Sequence, residues 1–320
     1  MGGNLTAEIS IASKDFFNFF RFDKGYFDSY SIGSLLADML FKRGADIRDF
    51  SKRLVTIKVR GISETSIENA AIKSTRIIEA SLFQVSYLKN LAFWLVDEWP
   101  SSKRSKAGNN RIKSLGEPYP SWAFQLRADY NSDLIKFYQF GMSTGLAEMK
   151  FLSFYQVLEY FFIQISNEKL YEKLSTKIKD PKFTLSETNL DRIVFDVVKH
   201  KNENDETEML KNVLKKFVDE QEIIEFIKNH EKYLGKPVYS GQHSVFGASM
   251  EIRLQIGQTI SNISKEIKEI RNALVHSTDR YERNARHVPF TKSTELIEER
   301  LPLMKFLAEK VIVNSGTPYT

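Results

Sequence analysis

The sequence predicts a mainly α protein in which a smaller α+β domain precedes a bundle of helices. Helical periodicity recurs through most of the chain after residue 120. Alternating, β-branched segments typical of strands are confined to the first hundred residues. We therefore expect a mixed α+β domain over residues 1–100, a basic linker or loop over residues 101–120, and an all-helical domain over residues 121–320.

The composition is that of a globular chain and excludes several classes of protein. Hydrophobic residues make up 42% and charged residues 27% of the chain, which excludes a largely disordered protein. Cysteine is absent, so disulfides, thiol catalysis and thiolate zinc sites are excluded. Because His200, His230, His243 and His287 are far apart without metal-type spacing, we expect no metal and no other cofactor.

Hydropathy and net charge limit the expected partners. The longest apolar stretches, such as Leu91–Val96, are much shorter than the ~20 residues that a membrane helix needs. No apolar signal-peptide core follows the N-terminus. We therefore expect a cytoplasmic protein without membrane contact. The net charge of +5 permits a nucleic-acid partner but does not require one, because binding depends on how the charges cluster.

The first hundred residues contain two clear strand patterns and one long helical pattern. Alternation and β-branching predict strands at Ala7–Ala12 and Leu54–Arg60. Apolar spacing predicts helices at Ser31–Phe41 and from Ser66 to about Asn90, and a further strand is expected at Leu91–Trp99.

A basic segment follows at Ser101–Gly116. It contains no acidic residue and almost no apolar residue, which is typical of an exposed loop or linker. Its five positive charges could contact the phosphates of a nucleic acid, or the segment could be a solvated loop without a ligand. The charged residues are Lys103, Arg104, Lys106, Arg111 and Lys113.

Helical patterns dominate the chain after Pro120. The segment Glu148–Ile165 is apolar nearly all round, which predicts a buried helix, and Pro302 predicts a kink or break in the last helix. Loops are expected at Gly235–Gly247 and Ser277–Thr291. The predicted helices are Ser132–Met142, Glu148–Ile165, Leu190–Lys199, Glu206–Tyr233, about Ser249–Val275, and Thr294–Val313.

The helix that ends near Val275 presents a polar group away from its apolar seam. The seam repeats every three or four residues and consists of Ile256, Ile260, Ile263, Ile267, Ile270 and Leu274. At about 100° per residue, Asn272 and His276 share the opposite face, and Arg271 lies on the flank.

This trio has the functional groups required for metal-free RNA cleavage. An imidazole transfers protons near neutral pH, and a guanidinium stabilises charge on a phosphate during attack by the 2′-hydroxyl. A surface histidine stabilised by the dipole of the helix end is the alternative interpretation.

The segment Arg271–His276, RNALVH, resembles the signature of HEPN ribonuclease domains. Phe151–Phe162, FLSFYQVLEYFF, is similar to the buried aromatic helix of the Apea-like HEPN family, and the resemblance covers roughly Trp122–Val313. It implies a HEPN-like helical bundle that acts as a toxin or antiviral endoribonuclease. It also implies a homodimer in which both protomers contribute their arginine and histidine to one cleft, with RNA as substrate and a regulatory or antitoxin partner. A HEPN subgroup with a nucleotide-accepting tyrosine is not matched, because Thr278 occupies that position.

Two other readings stay open. The helical domain could bind RNA or a protein without cutting, or it could be a structural dimerisation domain for a neighbouring enzyme. The N-terminal domain would sense a trigger, restrain the site or bind RNA.

Glu159 completes the set of candidate catalytic residues. It lies in the predicted buried helix among Leu158, Tyr160 and Phe161, and a buried carboxylate needs a partner. We expect it either to orient Arg271 or His276, or to form a structural pair with another basic residue.

Overall fold

A computed structural model describes residues 5–11, 13, 55–93, 122–125, 128–203, 205–275, 287–289 and 291–318. The described part is mainly helical with a few short strands, as the sequence predicts. The chain divides into two compact units, Met1–Asp129 with Thr317–Thr320, and Tyr130–Gly316. The predicted helix Ser31–Phe41, the basic segment Ser101–Gly116 and His276 lie outside the described residues.

The first unit contains a three-stranded antiparallel sheet. Strand β1 (Thr6–Ile11) pairs with β2 (Val55–Arg60) on one side and with β3 (Trp122–Gln125) on the other, in the order β2-β1-β3. Alternation in β1 places Ala7 and Ile9 in the interior, while Glu8 forms an ion pair of 2.7 Å with Arg60 of β2. The two strands that alternation predicts are therefore confirmed.

Helix α1 (Ile67–Lys89) packs on β1 and β2 in this unit, and its predicted extent is confirmed. Leu82 and Val85 form a small core with Ile9. The helix ends at Asn90, which adopts the left-handed conformation at φ 57°.

Two expectations for the first unit are wrong. Leu91–Phe93 has no strand structure, because Leu91 and Phe93 instead pack on the small core and the Ser86 hydroxyl donates to the Leu91 carbonyl at 2.8 Å. The remainder of that predicted strand lies outside the described residues. Strand β3 (Trp122–Gln125) occurs where only helices were expected, because four residues are too few to show a period. A second short pairing joins β4 (Ala128–Asp129) to β7 (Thr317–Pro318).

The second unit is a helical bundle with one hairpin. Its described helices are α2 (Ser132–Ser143), α3 (Ala147–Glu159), α4 (Phe162–Ile178), α5 (Glu187–Glu203), α6 (Glu206–Phe217), α7 (Glu220–Leu234), α8 (Thr259–Val275) and α9 (Lys292–Ser315). Helix α3 packs between α2 and α9, and α6 packs on both α4 and α8. Strands β5 (His243–Val245) and β6 (Ala248–Met250) form the hairpin.

Two predicted helices are each divided into two. The segment Glu148–Ile165 is interrupted at Tyr160 and Phe161, where the buried Phe161 ring packs on Phe217 at 4.7 Å between centroids. The segment Glu206–Tyr233 is interrupted at Val218 and Asp219, because the Asp219 side chain accepts from the Gln221 amide and begins a new helix.

The predicted helix from Ser249 starts ten residues later, at Thr259. Ala248–Met250 pairs with His243–Val245, across a turn in which Phe246 and Gly247 have φ values of 47° and 87°. The expected loop at 235–247 therefore contains a strand. Pro302 lies inside α9 without ending it.

Candidate functional site

The last turn of α8 carries Arg271 and Asn272, and His276 follows the end of that helix by one residue. Both described side chains are half-buried. The predicted seam is confirmed at its centre, where Ile260, Ile263, Ile267 and Ile270 are buried. Ile256 is exposed in the turn before α8, because the helix begins only at Thr259, and the expectation for this residue is wrong.

Arg271 is held by a residue of another helix. Its Nε lies 3.2 Å from Oε1 of Glu206, in the first turn of α6, and both side chains are about one-fifth exposed. The guanidinium also lies over the ring of Tyr155 on α3, 6.0 Å from the ring centroid. Arg271 therefore joins three helices of the bundle.

Tyr155 and Glu206 interact with each other as well as with Arg271. The Tyr155 hydroxyl donates a hydrogen bond to Glu206. Burial of the hydroxyl raises the pKa of Tyr155 above its usual range, and the hydrogen bond to Glu206 raises it further. The phenol therefore stays protonated and acts as a donor throughout the neutral range.

Arg271 also contacts its neighbour in the sequence. Its Nη1 donates to Oδ1 of Asn272 at 3.3 Å. With Nε directed towards Glu206 and Nη1 towards Asn272, the plane of the guanidinium is fixed. A fixed plane is what bidentate recognition of a phosphate requires.

Glu159 lies at the end of α3, one turn after Tyr155. It is exposed, so the expectation of a buried carboxylate is wrong, because the helix ends there and the chain turns at Tyr160. Partial desolvation raises the pKa of Glu159, the charge of Arg271 opposes this, and the charge of Glu206 adds to it. The charge of Arg271 thus acts on Glu159, and Arg271 forms an ion pair with Glu206.

Two residues of this group, Tyr155 and Glu206, were missed by the sequence reasoning. Tyr155 lies four residues before Glu159 in the aromatic segment, a spacing that places both on one helical face and could have identified it. Glu206 has no such local signal, because only the packing of α6 on α8 brings it to Arg271.

The predicted RNA-binding residues Lys103, Arg104, Lys106, Arg111 and Lys113 lie outside the described residues, as His276 does. Over the described ranges, no group of three or more histidine, aspartate or glutamate side chains is arranged to hold a metal ion. Among the described helices, none is long and apolar enough to cross a membrane.

A second charged group is buried in the core of the helical unit. The Nε of Arg300 on α9 lies 2.7 Å from Oε1 of Glu266 on α8, and each side chain is at most 5% exposed. His243 of β5 lies 3.2 Å from the other oxygen of Glu266. The hydrogen bond to Glu266 raises the pKa of His243. Burial tends to raise the pKa of Glu266, but His243 and Arg300 together lower it.

No protein-family model matches the chain, and no similar curated protein or solved structure was found. The class of protein that the fold defines is therefore a mainly helical one with a short-stranded first unit.

Proposed function

We propose that the chain is a metal-independent endoribonuclease of the HEPN type that acts in the cytoplasm as a toxin or antiviral (anti-phage) defence effector. The observation that carries the proposal is the position of Arg271. Its guanidinium is oriented by Glu206 and Tyr155 at the end of a helix, and His276 follows directly after that end.

The chemistry is an attack by the ribose 2′-hydroxyl on the adjacent phosphorus. The 2′-oxygen forms a bond to phosphorus, the bond to the 5′-oxygen breaks, and the products are a 2′,3′-cyclic phosphate and a 5′-hydroxyl. In this proposal His276 transfers a proton at the 2′-oxygen or at the leaving 5′-oxygen. Arg271 stabilises the negative charge that develops on the phosphate oxygens. Asn272 positions the phosphate or donates one hydrogen bond to it.

The resemblance adds a homodimer to this proposal. Two protomers would place their Arg271 and His276 residues in one shared cleft, as an isologous contact allows. Light scattering that shows a monomer at every working concentration would contradict this part of the proposal. A regulatory or antitoxin partner belongs to the same proposal.

The decisive test compares RNA cleavage by the purified full chain, with excess chelator, between wild type and two variants. We expect His276→Ala to lower the rate by about 10²- to 10⁴-fold. Arg271→Ala should lower it by about 10²- to 10³-fold. The matched control is Arg253→Ala. Arg253 lies outside the helices and its side chain is 64% exposed, so this variant should cleave RNA like wild type.

The product of the reaction provides a second readout. Wild-type cleavage should leave a 2′,3′-cyclic phosphate, and a 2′-deoxy substitution at the cut site should block it. Equal cleavage rates for His276→Ala and wild type would show that His276 is not a catalytic residue.

One observation favours a second candidate, a non-catalytic module that binds RNA or a protein. The charge of Arg271 is already balanced by Glu206, an arrangement that also suits a structural arginine. RNA binding that persists without any cleavage, in wild type and variants alike, would support this candidate.

A further inference from the structure

Helix α5 contacts α4 through two polar side chains, Asp196 and His200. The Asp196 carboxylate is 7% exposed and lies 3.0 Å from the Lys173 ammonium of α4, and it also forms an ion pair with Lys177. His200 Nε2 and the Ser166 hydroxyl of α4 are 3.1 Å apart. Hydrogen bonds from both lysines lower the pKa of Asp196, so the carboxylate stays charged in this contact.

Several large apolar side chains of α5 are exposed. Five large apolar side chains between positions 190 and 198 are each 40–64% exposed, namely Leu190, Val194, Phe195, Val197 and Val198. Helices α6 and α7 of the same unit show the usual arrangement, with Leu210, Leu214, Ile223 and Ile227 fully buried. A contiguous apolar patch on one exposed helix is a mark of a protein–protein contact.

The register of α5 indicates which partner fits this face. Glu187, Leu190, Val194, Val197 and Lys201 are spaced by three, four, three and four residues, which is the seam of a two-stranded coiled coil. The seam begins at an acidic position, is apolar at its three central positions and ends at a basic position. It is therefore complementary to itself when reversed.

We propose that two copies of this chain associate through α5, with the two helices antiparallel and the two-fold axis at Val194. The Val194 positions then face each other, each Leu190 position lies near the Val197 position of the other copy, and each Glu187 position lies opposite the Lys201 position. A pair of single helices buries a small area, so the contact belongs to the weak, transient class below about 1,200 Å². The inference stands on α5 alone and does not depend on the ribonuclease proposal.

Sedimentation of the full chain over a series of concentrations tests the contact. Wild type should show a further, concentration-dependent association step, and Val194→Asp should lose that step whether or not the cleft dimer of the proposed function forms. The matched control is Tyr233→Asp, which places the same charge on an 86% exposed residue of α7 and should dimerise like wild type. Circular dichroism should show the same helix content in all three, since both substituted side chains are exposed.

A charge exchange tests the antiparallel orientation. Glu187→Lys should weaken the dimer because it places two positive positions opposite each other at each end. Adding Lys201→Glu to the same chain should restore the dimer, because opposite charges then face each other again with their positions exchanged. No restoration would overturn the antiparallel arrangement.

Cross-linking tests the axis, and the absence of cysteine makes single-cysteine variants unambiguous. Under mild oxidation Val194→Cys should cross-link to itself. Leu190→Cys and Val197→Cys should cross-link efficiently only when the two proteins are mixed. A wild-type protein that stays monomeric at every concentration overturns the proposal. If such a monomer binds anionic lipid vesicles in a manner abolished by Val194→Asp, the face is a lipid-binding surface instead.

Discussion

Arg271 of α8 and Glu206 of α6 form an ion pair, with Nε and Oε1 3.2 Å apart. The Tyr155 hydroxyl of α3 donates to the same carboxylate. The Glu206 carboxylate therefore accepts from two donors on two other helices and fixes the orientation of Arg271. In the proposed reaction Glu206 is a positioning residue and Arg271 a catalytic one.

The first prediction concerns this pair in the cleavage assay. Glu206→Gln should lower the cleavage rate, but by less than Arg271→Ala, because the guanidinium remains and only its orientation is lost. The double variant should cleave no more slowly than Arg271→Ala alone, since Glu206 acts through Arg271. Single-turnover cleavage rates for the four proteins check this, and additive losses would show that Glu206 acts independently.

The second prediction concerns the pH dependence of stability through His243. Glu266 raises the folded-state pKa of His243 above the unfolded value of about 6.5, so the protonated imidazole stabilises the fold. This contribution is fully present below the unfolded pKa and is lost as pH rises through the folded pKa. The two charged groups facing His243 are Glu266 and Arg300. Although burial tends to raise the pKa of Glu266, His243 and Arg300 lower it, so Glu266 stays charged over that window.

The measurement is urea unfolding of wild type and His243→Gln at pH 5.5 and at pH 9. Glutamine retains a donor for Glu266 but does not titrate. The stability advantage of wild type over the variant should therefore shrink at the higher pH. An advantage that is constant or grows with pH would contradict the prediction.

The third prediction concerns the buried ion pair between Glu266 and Arg300. Glu266→Gln removes the buried counter-charge of the Arg300 guanidinium, which then keeps only the partly exposed Glu299 carboxylate, 3.2 Å from its Nη1. It should lower the free energy of unfolding by about 3–5 kcal/mol. The double variant Glu266→Gln/Arg300→Met removes the buried positive charge as well and should recover part of this loss. Urea unfolding at pH 7 provides the comparison.

A more exposed ion pair, between Lys236 after the end of α7 and Glu299 of α9, is the control for this experiment. Lys236 Nζ and Glu299 Oε1 are 2.5 Å apart, with the Lys236 side chain 58% exposed. Lys236→Ala should change the free energy of unfolding by less than about 1 kcal/mol. Equal effects of Glu266→Gln and Lys236→Ala would show that burial does not strengthen the Glu266–Arg300 pair.

The fourth prediction concerns the close approach of α2 and α3 at Gly141. A Cβ at this position would lie 2.8 Å from the ring of the buried Phe154 and 3.2 Å from the Cβ of Ser153. Gly141→Ala should therefore destabilise the fold by about 1–3 kcal/mol. Gly145→Ala, where a Cβ meets nothing within 4 Å, should be neutral or slightly stabilising in the same thermal unfolding assay. Equal melting temperatures for the two variants would contradict this account of Gly141.

The fifth prediction concerns the basic segment Ser101–Gly116. Replacing Lys103, Lys106 and Arg111 by alanine should weaken binding to many RNAs about equally. It should also reduce the slope of log affinity against log salt concentration by about 2. Exposed lysines elsewhere, Lys228, Lys232 and Lys265, are the matched triple control. Filter binding at several salt concentrations checks this, and unchanged affinity at low salt would make the segment a solvated loop.

Local periodicity was sufficient to predict the elements whose patterns are short-range and uninterrupted. Alternation identified β1 and β2, and apolar spacing identified α1, α2 and the centre of α8, because each face repeats along one continuous element. The same periodicity missed the ends of elements. Asp219 begins a new helix inside one continuous apolar pattern, and Ala248–Met250 pairs as a strand although its residues also suit a helix.

Which side chains pair with Arg271 and Asp196 depends on contacts between distant parts of the chain. The RNALVH segment pointed to Arg271, but the pairing of Arg271 with Glu206 arises only because α6 packs on α8. Asp196 shows the same dependence, since two lysines of α4 allow this charged residue to be buried while large apolar residues of α5 stay exposed. A repeat along one helix determines which residues share a face. Whether that face is buried depends on the helices that pack against it, because burial is a property of the neighbours and not of the pattern.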